Sequence, residues 1–165
     1  MAVRKILLLG NPVLYEICRP VQNKELQAVH EIVNDLHDTL LDFRKQHGVG
    51  RAIAAPQIGV VKRIIYMCIN NVSTVFINPE IYDQSKETME IWDDCMSFPD
   101  LLVRVRRHKS CRIRFHDLKW EQNELLLEGD FSELLQHEYD HLNGILSVSR
   151  AIDGRSFALR KELVQ

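Results

Sequence analysis

Hydrophobic and polar residues follow two different rhythms along this chain. Over residues 24–46, Leu26, Val29, Val33, Leu36, Leu40 and Phe43 recur at three- and four-residue steps, the spacing of one helical face. Asn23 can cap the start and Gly48 follows the end, so a helix over 24–46 is expected. The middle of the chain changes rhythm. Short apolar runs near 64–69, 75–77, 88–92, 102–106, 112–115 and 125–127 read as strands, punctuated by Asn70-Asn71, Asn78-Pro79 and Pro99-Asp100. A second helix is expected over 131–143, capped by Asp130 and stopped by Gly144, with a short strand over 145–148 behind it. Helix, then strands, then helix, with few connections long enough for a parallel crossover, predicts an α+β fold of mostly antiparallel strands. Arg104, Arg106, Arg107, Lys109, Arg112 and Arg114 alternate with Val103, Val105, Ile113 and Phe115. That pattern predicts the solvated face of a β-hairpin, with a patch for an acidic partner as the rival reading.

At 165 residues the chain can bury one substantial core, so a single domain over 1–165 is expected. A hydrophobic content of 45% excludes a disordered chain, and a net charge of −2 gives no global pull toward nucleic acid or anionic membrane. Neither partner is expected. The four cysteines, Cys18, Cys68, Cys95 and Cys111, form no C-x-x-C pair, and the apolar run from Ile6 to Leu9 is too short for a signal segment or a span. A reducing, cytoplasmic setting is therefore expected, where an isolated cysteine is a small hydrophobe, a metal ligand or a nucleophile.

The chemistry begins at His137-Glu138-Tyr139-Asp140-His141, an H-E-x-x-H sequence within the second helix. Residues four apart lie about 40° from each other around a helix, so both imidazoles can converge on one ion. Glu138 projects about 100° from His137, able to reach a water at an open coordination position without ligating. Leu134, Leu135 and Leu142 place the motif at the edge of an apolar stripe, where two unpaired imidazoles would be costly. A catalytic site of this type needs a third ligand. The metzincin continuation would put histidine where Ser147 stands, Glu162 lies in a charged tail, and no Cys or His follows His141. The ligand must come from upstream. Cys68 and Cys111 lie in strand-like runs and read as core, whereas Cys95 precedes Met96-Ser97-Phe98-Pro99 in a turn region. Spacing alone favours Cys95 modestly.

Three ordered segments then carry a resemblance. Gly50-Arg51-Ala52-Ile53-Ala54-Ala55-Pro56-Gln57 is similar to G-x-G-x-A-A-x-Q, Asp93-Asp94-Cys95-Met96-Ser97 to E-G-C-x-S, and Gln136-His137-Glu138-Tyr139-Asp140-His141 to Q-H-E-x-D-H. With these the sequence resembles the peptide deformylases over nearly its whole length. The resemblance implies antiparallel sheets packed around the metal helix and removal of the N-formyl group from the initiator methionine of new polypeptides. It further implies one divalent ion, commonly Fe(II) with zinc, nickel or cobalt as substitutes, held by Cys95, His137 and His141. Glu138 would then be the proton carrier, with the Gln57 amide and the Met96 backbone N–H as donors to the oxyanion. Substrates would be N-formylated peptides, including nascent chains at the ribosome.

Four positions depart from the pattern. Asp93 replaces glutamate and is expected to pair with Arg107, where the family keeps an arginine. Ala52 replaces the second loop glycine. Asp94 replaces a glycine that lets substrate main chain lie close, and Glu133 stands where an apolar residue would face the methionine side chain, while Gly50 keeps the loop open to substrate. A divergent hydrolase of other N-formyl or N-acyl amines, or a non-catalytic metal-binding domain, are the alternative readings.

Overall fold

The computed structural model describes residues 2–163. Helix α1, Leu26–His47, buries Val29, Val33, Leu36, Leu40 and Phe43, the face read from the sequence. Its start differs from expectation. Asn23 does not cap it but opens a 3-10 turn, Asn23–Glu25, closed by the Glu25 carboxylate accepting from the Gln22 N–H at 2.7 Å. Gly48, at φ 73°, ends the helix with its N–H on the Arg44 carbonyl at 2.8 Å.

Among the described residues, eight strands form two antiparallel sheets. The larger contains β1 (Ala52–Ala54), β2 (Ile64–Ile69), β3 (Val72–Tyr82), β6 (Ser110–His116) and β7 (Gln122–Glu128), in the order β1-β2-β3-β6-β7. The smaller contains β4 (Thr88–Asp94), β5 (Leu101–His108) and β8 (Phe157–Leu159), with β5 central. Strand β2 is buried on both faces, as its unbroken apolar sequence requires. Ile64, Tyr66 and Cys68 pack with α1, while Ile65 and Met67 pack with Phe76 and with Leu134, Leu135 and Leu142 of helix α2, Gly129–Leu142. Helix α2 also contacts β5, so it lies between the two sheets. The fold is therefore α+β with antiparallel sheets, as expected.

Asn78-Pro79 does not end a strand. It makes a bulge in β3, where the register shifts between Ile77 and Glu80. Proline has no N–H for the ladder, and Asn78, at φ 50°, turns its carboxamide to accept from the Val21 N–H (2.8 Å) and donate to the Val21 carbonyl (2.9 Å).

The expected basic hairpin is corrected. Strands β5 and β6 belong to different sheets, and the chain crosses between them at Lys109. Alternation puts Arg107 on the same side as Val103 and Val105, and it is 3% exposed. Arg106 and Arg112 do lie outside, on Glu90 and Glu124. The short strand expected over 145–148 is also absent; Leu146 enters the core of the small sheet and a 3-10 turn, Ser147–Arg150, follows. Nor does Asp130 cap α2, since Glu128 occupies that position and Asp130 falls in the first turn. The tail forms β8 and a short helix α3, Arg160–Leu163. Among the described residues no helix is long and apolar enough to cross a membrane.

Gly144 explains the turn after α2. At φ 69°, a side chain there would press its Cβ into the Tyr15 carbonyl group, 2.7 Å from the carbon. Gly144→Ala should lower stability by at least about 2 kcal/mol, from left-handed strain and overpacking together. The midpoint of a urea titration reads this directly.

Candidate active site

Helix α2 and the loop leaving β4 meet at one buried point. His137 and His141, one turn apart, bring their Nε2 atoms to 3.2 Å, and Cys95 Sγ lies 3.3 Å from His141 Nε2. The three ligating atoms all fall within 4.8 Å of one another. Four-coordinate sites with bonds of about 2.0–2.3 Å hold their ligands roughly 3.3–3.8 Å apart, so this trio fits a divalent ion. The loop is shaped to present sulfur inward: the Phe98 N–H bonds the Cys95 carbonyl at 3.0 Å, and the Ser97 N–H points at Cys95 Sγ at 3.4 Å.

A buried charge network orients the ring of His137. Its Nδ1 lies 3.0 Å from Asp93 Oδ2, so the ring donates there and turns Nε2 toward the trio. Arg107 bridges Asp93 (2.9 Å) and Asp140 (2.5 Å), and Arg150 adds two bonds of 2.6 Å to Asp140. The expected Asp93–Arg107 pair is present. Burial works against the Asp93 charge, yet His137 and Arg107 hold its carboxyl down at about 2. Burial likewise opposes charge on His137, but Asp93 and then Cys95 raise it well above the ordinary histidine range. Burial, reinforced by the charge of His137, drives His141 well below that range, which keeps its imidazole neutral and able to ligate. Its Nδ1 has no partner among the described residues.

Glu138 is 4% exposed, and its Oε2 has no hydrogen-bond partner among the described residues. Burial pushes its carboxyl up to about 7 against the pull of His137. Gln57 sits in the 3-10 turn Ala55–Ile58, also buried. Its Oε1 accepts from the Ala54 N–H at 2.9 Å, which fixes the amide so that Nε2 faces Ser97 Oγ (3.2 Å) and Cys95 Sγ (3.6 Å). The Met96 N–H donates to no group among the described residues. The amino-terminal segment ties these turns together, Leu7 N–H bonding the Gln57 carbonyl at 2.8 Å and Leu9 N–H the Ser97 carbonyl at 2.9 Å.

A cavity of about 570 Å³ opens beside the trio and is lined by Gly50, Asp94, Glu133 and Glu138 as well as Cys95 and His137. Gln57 and Met96 line it as well, whereas His141 and Arg107 do not. Gly50 is required by its backbone, φ 130°, and by α1, because an added Cβ would meet Leu40 Cδ1 at 3.3 Å. Asp94 is engaged by Arg160 Nη2 at 2.7 Å, and Glu133 by Arg51 Nη2 at 2.5 Å. Sequence reasoning missed both arginines and the Asp140–Arg150 pair. Position 160 lies in the charged run that ends at Glu162, and nothing in the spacing joins it to position 94.

The chain is similar to known proteins over nearly its full length. A family profile described as polypeptide deformylase matches residues 3–156. The peptide deformylase of Thermotoga petrophila is 34% identical over 160 residues, covering 97% of this chain and 94% of the relative. The crystal structure of peptide deformylase from Thermotoga maritima superposes with a TM-score of 0.84 at 31% identity, covering 93% of this chain and all (100%) of that one. A Met-Ala-Ser-bound class I type b peptide deformylase from Acinetobacter baumannii gives a TM-score of 0.82 at 31% identity, covering 90% and 98%. Matched over nearly its full length in sequence and in structure, the chain belongs to the peptide deformylase family.

Proposed function

We propose that this chain acts as one catalytic domain that hydrolyses the N-formyl group at the amino terminus of formylated polypeptides, the formylmethionine start included, releasing formate. Cys95, His137 and His141 would hold one divalent ion, Fe(II) before zinc, nickel or cobalt. When bound, such an ion supplies Lewis acidity and lowers the pKa of water at its open position. Glu138 takes the proton of the attacking water and returns it to the departing amine. The Gln57 Nε2–H and the Met96 N–H donate to the carbonyl oxygen as it gains negative charge. Asp93 holds the Nδ1 proton of His137 so that the ring keeps one tautomer throughout. Water and the formamide give formate and the free amine, with no other reactant.

The observation that carries this reading is the unpartnered, buried Glu138 carboxyl, raised to about 7, beside the thiol and imidazole trio. A metal site that merely tied helix to sheet would need no such group, and its cost in burial favours catalysis. The setting that fits is the cytoplasm, with nascent chains leaving the ribosome as the substrate pool.

Anaerobic purification followed by metal analysis and a formate assay on formyl-Met-Ala-Ser tests the reading. About one ion per chain and steady formate release are expected, with chelation removing both. A metal-replete protein that releases no formate from any formylated peptide would refute it. Cys95→Ala should lose most of the bound metal on dialysis, which elemental analysis measures without reference to turnover. Gln57→Ala should lower kcat by about 10²–10³-fold at unchanged metal content.

A further inference from the structure

Strand β7 closes one end of the larger sheet, and among the described residues no strand pairs with its outer edge. The Gly129 N–H bonds the Lys109 carbonyl at 2.9 Å and the Asp117 N–H bonds the Glu121 carbonyl at 3.0 Å, continuing the β6–β7 ladder at both ends. Odd-numbered residues of β7 therefore face β6, while Gln122, Glu124, Leu126 and Glu128 aim their N–H and C=O groups off the sheet. Free edges are normally blunted by lysine, proline, a bulge or brevity. Here seven residues run without any of these, in unbroken register with β6. Leu125 is 42% and Leu126 56% exposed, and Phe131, in the first turn of α2, is exposed as well. The other sheet ends differ. Strands β1 and β8 have three residues each, and β4 carries Glu90, Asp93 and Asp94 and ends on the cavity.

Charge and register fit this edge to a copy of itself. A twofold axis normal to the sheet keeps the inner faces of two copies on one side, so the axis must pass through a residue of β7. Through Glu124, it would set that carboxylate against its own counterpart. Through Leu126, it would set Glu124 against Glu128 on both sides of the axis. Through Leu125, the middle residue, the whole strand pairs and no like charges meet: Glu124 faces Leu126, Gln122 faces Glu128, and Leu125 faces Leu125. One outer row across the joined sheets then reads Arg114, Glu124, Leu126, Arg112, and Glu124 is already held by Arg112 Nη1 at 3.0 Å within its own copy. In this register the outward N–H and C=O groups of the two strands meet as hydrogen-bonded pairs. No β7 residue lines the catalytic cavity. We propose that β7 is a docking edge for a second copy of this chain, the two strands pairing antiparallel about Leu125 to join the larger sheets into one. The contact does not depend on the hydrolytic reading.

One strand from each copy makes a small contact, so the dimer should be weak and should dissociate on dilution. Sedimentation velocity of the metal-loaded full chain, up to about 0.5 mM, reads it. Leu126→Glu, which sets like charges opposite each other on both sides of the axis, should raise the dissociation constant about tenfold or more. Leu126→Pro should do the same by removing an N–H that the β6–β7 ladder does not use. The register is read by oxidation. Leu125 meets its counterpart as a non-hydrogen-bonded pair with Cα atoms about 4.5 Å apart, within disulfide reach. Leu125→Cys should therefore form a covalent dimer, while the four native cysteines are buried. Asn123→Cys should not, because it lies about 13 Å along the strand from its counterpart. A chain that stays monomeric throughout, a dimer that Leu126→Glu leaves unchanged, or cross-linking at 123 in place of 125 would overturn the proposal. Leu126→Glu carries the test alone if the proline variant does not fold.

Discussion

Glu138→Ala should lose about 10²–10⁴-fold in kcat while keeping its fold and its metal. Fold is spared because the carboxyl makes no hydrogen bond that a neighbour would miss: its Oε2 is buried and unpartnered among the described residues. Removing a buried, poorly satisfied acid can even raise stability, since its desolvation is no longer required. Metal is retained because Cys95, His137 and His141 are untouched and the Asp93 bond that orients His137 remains. What disappears is a cavity carboxyl raised to about 7, suited to accept and return a proton near neutral pH. Single-turnover formate release, run beside elemental analysis of the same sample, separates the two effects. Equal turnover in parent and variant would remove Glu138 from the reaction.

Arg107→Leu should cost about 3–5 kcal/mol of folding free energy, because it leaves two buried carboxylates facing each other without their shared cation. Asp93 is 5% and Asp140 likewise 5% exposed, so neither can turn to water. Arg150 still holds Asp140, but Asp93 would keep only His137. The loss should therefore be felt at β4 and at the cysteine loop that follows it. Arg107→Lys should recover a minor part, as an ammonium cannot reproduce the fork that spans both acids. Guanidinium titration monitored by the fluorescence of Trp92 and Trp120 measures the difference. A loss below about 1 kcal/mol would mean that the network contributes little net stability, as buried pairs sometimes do.

Much of the architecture was legible because the long elements have clear periods. Helix α1 announces itself over six turns, and β2 was bounded correctly by its apolar run. The elements that escaped are β1, β8 and α3, three or four residues each, too short for any period to register. Their pairing is decided by distant chain: β1 by β2, and β8 by β5. The basic run misled because local alternation says which face a residue occupies but not which sheet. Read strictly, the same alternation already put Arg107 inward with Val103 and Val105. The H-E-x-x-H helix was legible from local spacing alone. The cysteine required the resemblance, since no local rule connects position 95 to positions 137 and 141. The carboxylate at position 133 was visible, but its partner Arg51 was not, because that contact joins residues 82 apart.

The loop that carries Cys95 is clasped from two segments far apart in the chain, by Leu9 and by Arg160. Arg160 also reaches the Pro99 and Asp100 carbonyls, closing the clasp behind the loop. Folding of the loop must therefore await contacts of very large sequence separation. A change at residue 9 or residue 160 is therefore felt at the reaction centre, although neither contributes an atom to the chemistry.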